Sequence, residues 1–200
     1  MSSKDVIIDT ALKLFLQKSY HEVTMQDIVQ ETGLSKGAFY HYFSSKEQVF
    51  DEVTKVYFGS TQLEVYSRIV EYSLWDFCQE YLRESSERMY TYANKSENGK
   101  GSMAGNRFGL IFDAMKLLPE FKKNQEERKK EELKYWTSII AQARENGEIK
   151  SGGVSDKQIA KLFIYQNYGA RIYFVMHKQV EEVINEIAVQ FKAIYDIIKA

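Results

Sequence analysis

Apolar residues recur at intervals of three and four along almost the whole chain, the spacing that gives a helix one buried face. Ile7, Ile8, Ala11, Leu12, Leu14 and Phe15 predict a first helix over about Lys4 to Gln17. Thr24 and Asp27 have the form of a capping box, with Asp in the usual place of Glu, and open a second helix carrying Met25, Ile28 and Val29. Gly33 ends that helix, as expected of a residue that enters the left-handed region without a Cβ clash. Ser35 caps a short third helix whose Phe39 and Phe43, four apart, share its inward face. Ser44 and Glu47 are expected to cap a fourth helix running toward about Glu71.

Further helices are expected over about Leu74–Asn94, Asn106–Leu117 and, opened by Pro119, as far as Asn146-Gly147. Ser151-Gly152-Gly153 breaks the pattern. Ser155 then caps a helix to about His177, and a last helix fills about Glu181 to Lys199. Strand signatures are scarce, so the chain reads as all-α, with about nine helices.

Composition adds constraints. Hydrophobic residues make up 44% and charged residues 28%, the balance of an ordinary soluble domain. The 14 Tyr, 12 Phe and 2 Trp supply more ring surface than a core of this size needs, and the surplus points to an interface or a ligand cavity. Cys78 stands alone and cannot form an intrachain disulfide, which suits a reducing, cytoplasmic setting. Met1 to Thr10 lacks the basic and apolar regions of a signal peptide, and no apolar run reaches the length of a membrane span. No membrane partner is therefore expected. The formal net charge of -1 excludes a broad basic coat for nucleic acid, so any DNA contact must be local.

One local feature meets that requirement. From Thr32 to Lys46 there is no Asp or Glu, while Lys36, His41 and Lys46 are present. The second and third helices, joined at Gly33, have helix-turn-helix proportions. Lys36, Gly37, Tyr40 and His41 fall opposite Phe39 and Phe43, and a short helix cannot bury Tyr40, His41 and Tyr42 together. A ridge of small and hydrogen-bonding residues is what entry into a major groove about 12 Å wide demands.

Thr24-Met25-Gln26-Asp27-Ile28-Val29, then Gly33 through Phe43, then Ser45-Lys46-Glu47 together resemble the signature of the TetR family of regulators, over about residues 4–53. The resemblance implies a three-helix helix-turn-helix DNA-binding domain over 1–46. It also implies a larger helical domain over 47–200 for effector binding and dimerisation. It gives Thr24 a phosphate contact and puts Met25 and Gln26 at the groove edge. It brings Ser35, Lys36, Gly37 and Ala38 to bases and backbone. Tyr40, His41 and Tyr42 would make groove and phosphate contacts, and Lys46 would bind phosphate at the start of the fourth helix. Ala38 departs from the family, where Thr is frequent, and donates no hydrogen bond.

The implied partners are double-stranded operator DNA, a small-molecule effector and a second copy of the chain. The resemblance places the dimer bundle on the last two helices, where Ile159, Leu162, Phe163, Ile187, Phe191 and Ile198 are among more apolar residues than one core face needs. Simple burial of both helices is the alternative. The effector site is expected between the middle helices. Tyr66, Phe77, Tyr81 and Phe108 are candidate lining residues, as are Phe112, Trp136, Tyr165 and Tyr168. Arg107, Asn167 and Arg171 would either orient a mostly apolar or aromatic ligand or pair with an acid such as Asp113. The fourth helix would couple that cavity to the reading heads.

Two other classes compete. An enzyme would need a reactive constellation, yet His21, His41 and His177 are scattered and show no metal-ligand spacing, and Lys100 lacks a Walker pattern. No cofactor, metal or catalytic residue is expected. A DNA-binding protein that recruits a protein partner and binds no ligand would use the charged Glu120–Lys134 segment, which otherwise reads as a solvated helix face.

Overall fold

The structure, a computed structural model, describes residues 2–58, 73–94, 103–173 and 180–200. Nine helices lie in these residues: α1 (Ser3–Lys18), α2 (Met25–Thr32), α3 (Lys36–Tyr40), α4 (Lys46–Tyr57), α5 (Leu74–Asn94), α6 (Met103–Leu117), α7 (Pro119–Glu145), α8 (Asp156–Tyr173) and α9 (Val180–Ile198). The protein is all-α, as the periodicity predicts. Among the described residues no helix is long and apolar enough to cross a membrane.

The helix ends follow local chemistry. Ser2 and Asp5 form a reciprocal capping box on α1, and Thr24 and Asp27 form one on α2. Gly33 closes α2 at φ 67°. One cap differs from expectation. Ser45, not Ser44, is the N-cap of α4: its hydroxyl accepts from Gln48 N at 3.2 Å. Ser44 instead donates to the Gln48 side chain from its backbone N at 2.9 Å and its hydroxyl at 3.0 Å. Two adjacent serines offered the same cap, and the register of α4 chose between them.

The chain divides into two compact units. The first holds residues 1–60 and 94–125, and the second holds 61–93 and 126–200. By its packing, α4 goes with the helix-turn-helix helices rather than beginning a separate domain at residue 47. The cause is visible in the first core, where Val49, Phe50 and Val53 are fully buried alongside Ile7, Leu12 and Phe15. Phe50 meets Phe15 edge-on at 5.4 Å and lies 4.4 Å from Tyr20, offset geometries that aromatic quadrupoles favour. Within this unit α6 packs on α1 and α4. His21 Nε2 and Asp113 Oδ1, 3.3 Å apart, link the α1–α2 turn to α6.

The second unit is built around Trp136, which is fully buried. Phe163 stacks on it at 5.1 Å, Phe77 and Tyr81 meet its edges at 4.7 and 5.1 Å, and Phe191 stands at 5.9 Å. Glu148 caps α5 in an unusual way. Its carboxylate accepts from Leu74 N at 2.9 Å and Trp75 N at 3.2 Å, placing negative charge at the positive end of the helix. The predicted break after α7 is held by Arg144, which donates to Val154 O at 3.1 Å and to Asp156 at 2.7 Å. The chain end lies along 148–150, with Lys150 N donating to Ile198 O at 2.9 Å and Ala200 N to Glu148 O at 3.0 Å.

Candidate nucleic-acid interface

The expected ridge is built by three short-range devices. The Thr24–Asp27 box fixes where α2 begins, the left-handed Gly33 turns the chain, and the Ser35 hydroxyl accepts from Ala38 N at 3.2 Å to start α3. Phe39 and Phe43 then anchor α3 from below, both buried. With those anchors down, Ser35, Lys36, Gly37, Ala38, Tyr40, His41 and Tyr42 all face solvent. Tyr40 is 50% exposed and Tyr42 is 42% exposed. A Cβ built on Gly37 meets no atom within 4 Å, so its backbone is open to close approach. Thr24 and Gln26 are exposed beside the ridge, and Met25 is half-buried.

The acids bordering this surface are engaged elsewhere. Glu47 accepts from the Tyr20 hydroxyl at 3.2 Å, and its own helix N-terminus, chiefly its backbone N–H and then the Ser45 hydroxyl, keeps its carboxyl below the usual range. Asp27 is likewise lowered, first by the Thr24 hydroxyl. Burial and the neighbouring Glu47 push the Tyr20 phenol up to about 12. Between Thr32 and Lys46 the surface therefore offers donors and rings and carries no carboxylate of its own.

Lys46 makes contacts within the protein that its place in the sequence does not announce. Its ammonium donates to Tyr20 O at 3.0 Å and to Val23 O at 2.9 Å, and lies 4.3 Å from the centre of the Tyr20 ring. The side chain expected at a DNA phosphate thus also holds two carbonyls of the protein's own backbone. A lysine beginning a helix gives no sign of this in sequence, because both carbonyls lie more than twenty residues back.

The candidate effector residues are divided between the two units. Tyr66 lies outside the described residues. Arg107, Phe108 and Phe112 belong to the first unit, and Phe77, Tyr81, Trp136, Tyr165, Asn167, Tyr168 and Arg171 belong to the second. Phe77, Tyr81, Trp136 and Asn167 are buried together, while Phe112 and Tyr165 face solvent. Tyr165 is 63% exposed, because it shares a stripe of α8 with Leu162 and Ile172 rather than with the core residues Phe163 and Asn167. Asp113 meets His21, and the Arg107 guanidinium sits 5.8 Å from the Phe58 ring.

Instead, a polar chain runs through the second core. Arg171 Nε donates to Asn167 Oδ1 at 2.9 Å, and Asn167 Nδ2 donates to the Tyr81 hydroxyl at 2.7 Å. Tyr81 in turn donates to Glu132 Oε1 at 3.2 Å, and Tyr168 donates to Oε2 at 3.2 Å. Arg171 also donates to the buried Ser85 hydroxyl. Neither Glu132 nor Ser85 is expected here from the residue pattern. Glu132 sits in the charged run that reads as solvated, yet its spacing of four from Trp136 puts it on the buried stripe of α7, and that spacing is the signal the sequence offers.

This geometry defines a helix-turn-helix domain with the outer ridge of α3 exposed. Residues 7–53 match the family described as "Bacterial regulatory proteins, tetR family". The N-terminal segment is thus a TetR-family domain. The chain is 48% identical over 56 residues to the uncharacterized HTH-type transcriptional regulator YuxN of Bacillus subtilis, a match over 28% of this chain and 19% of that protein. It is 29% identical over 120 residues to the biofilm operon icaADBC HTH-type negative transcriptional regulator IcaR of Staphylococcus aureus, over 58% of this chain and 64% of that protein. The chain thus spans less than two thirds of the length of these curated relatives. Among solved structures, the fold matches reduced NemR of E. coli (TM-score 0.65, 17% identity, 94% of this chain and 95% of that one). It also matches the regulatory protein TetR of Rhodobacter sphaeroides (TM-score 0.67, 17% identity, 99% and 100%). The chain has the TetR-type fold along nearly its whole length.

Proposed function

We propose that this protein is a homodimeric transcriptional regulator that binds a pseudo-palindromic operator through α2 and α3 and leaves it when a small, mostly apolar or aromatic effector binds the second unit. One observation carries the DNA half: seven residues from Ser35 to Tyr42 face solvent while Phe39 between them is fully buried. Exposed aromatics on a small, acid-free surface need a partner, and a duplex supplies phosphates for Lys36 and base edges for Tyr40 and His41.

Dimerisation is supported by exposed apolar residues on the last two helices. Leu162, Tyr165 and Ile172 recur along one stripe of α8, and Val189 and Ile197 are exposed on α9. Two ridges about one DNA turn apart turn a weak contact into a specific one. The sign of regulation follows the relative that is named a negative regulator. The effector half is supported by the Trp136 indole, whose N–H is buried with no hydrogen-bond acceptor, amid rings and a polar chain able to orient a ligand.

Selection of bound duplexes from a random pool tests the DNA half and should return a pseudo-palindrome. Recovery of unrelated sequences would remove it. A panel of aromatic acids and neutral aromatic amphiphiles, scored by loss of operator affinity, tests the effector half. Unchanged affinity across that panel would remove the effector while leaving the DNA half standing.

A further inference from the structure

We infer that Lys46 is a positioning residue of the DNA-reading surface, acting through the start of α2 rather than by touching DNA; this rests on the DNA-binding reading above. The turn between α1 and α2 leaves the carbonyls of Tyr20 and Val23 outside any helix ladder, and such groups need donors. The Lys46 ammonium supplies both, at 3.0 and 2.9 Å, with charge-assisted bonds roughly twice as strong as neutral ones. The Tyr20 ring, 4.3 Å away, adds a cation–π contact on a third side.

The consequence lies in a single peptide unit. Its carbonyl belongs to Val23 and its N–H to Thr24. The carbonyl is held by Lys46, and the N–H donates to Asp27 Oδ2 at 2.7 Å. That plane is pinned from α4 on one side and from α2 on the other, so the N-terminus of α2 cannot turn about its axis independently of α4. Glu47, the next residue, holds the Tyr20 hydroxyl and secures the same corner a second time. Thr24, Met25 and Gln26 are the first residues beyond the pinned plane. Their aim depends on Lys46 although Lys46 is not among them.

Salt dependence separates positioning from phosphate contact. Binding to the pool-selected duplex is measured for the full chain and for Lys46→Met across a series of salt concentrations. Positioning predicts a loss of about tenfold or more with the slope of log affinity against log salt unchanged. A direct phosphate partner predicts a slope flatter by about 0.9 for each phosphate left unneutralised, and by twice that in a dimer. Gln26→Ala is then combined with Lys46→Met. If Lys46 acts by aiming α2, the two losses together fall short of their sum, whereas a general loss of stability would add. Amide exchange in the absence of DNA gives an independent reading: Thr24 to Ile28 should exchange faster in the Met variant. Lys46→Gln, which keeps two donors, serves if the Met variant does not fold. A flattened slope, or full affinity with unchanged exchange, overturns the assignment. Failure to select any duplex would sink the DNA reading, while the exchange experiment would still decide what Lys46 does.

Discussion

The amide of Asn167 donates to the hydroxyl of Tyr81 at 2.7 Å across a separation of 86 residues, inside a core otherwise lined by Trp136, Phe163 and Phe191. A buried amide is tolerated there only because both of its ends are used: its oxygen accepts from Arg171. The pair joins α5 to α8 through directional bonds that apolar packing alone does not supply.

Asn167→Ala should therefore cost about 1–3 kcal/mol, the penalty for stranding buried partners rather than the net worth of one bond. Denaturant unfolding measures it. Combined with Tyr81→Phe, the loss should be smaller than the sum, since both changes break the same link. Additive losses would show that the bond carries no energy of its own.

Ser19 occupies φ 85° and ψ 160°, a region open essentially to glycine alone. Ser19→Gly should raise stability by about 1 kcal/mol: relief of about 1–3 kcal/mol of strain outweighs the added freedom of the unfolded chain. A higher thermal midpoint is the expected result. A lower one would mean that the hydroxyl bond to Glu22, at 2.8 Å, outweighs the strain.

Phe39 and Tyr40 are chain neighbours with opposite fates. Phe39→Ala should cost about 3–5 kcal/mol, because it empties the site that seats α3. Tyr40→Ala should change stability by no more than about 0.5 kcal/mol while altering which duplexes are bound. Parallel melting curves and binding to a set of operator variants check both.

Mild acid should weaken the first unit. Glu52 ionises more readily in the fold than in the open chain, chiefly because Lys4 donates to it at 2.6 Å; Glu47 does so through the α4 N-terminus. Both carboxyls have lowered folded-state values, so the unfolded chain binds more protons as the solution is acidified. Their contribution is whole above the unfolded carboxylate range and is lost as pH falls through the folded values, from about pH 5 downward. Glu52→Gln should flatten the decline of the melting midpoint over that range. An equally steep decline would assign it to other groups.

The exposed ridge of α3 was legible in the residues because each device that builds it acts within four positions. Thr24 with Asp27, Gly33, Ser35 with Ala38, and Phe39 with Phe43 are all of this kind. The second unit was less legible. Glu132 hides in a run of charges, and Tyr165 looks like its buried neighbours until the azimuth of α8 is known. Capping alternatives one residue apart, such as Ser44 and Ser45, differ too little locally to be separated.

What the residues alone determined is therefore the set of helices, where most of them start, and which face of α3 is left outward. Those outcomes depend on neighbours in the chain. Which distant groups meet was decided only by the folded molecule: Lys46 with the carbonyls of Tyr20 and Val23, Glu148 with the start of α5, Asn167 with Tyr81. An amphipathic stripe states that a face will be buried, but the partner it is buried against depends on how all the stripes pack at once.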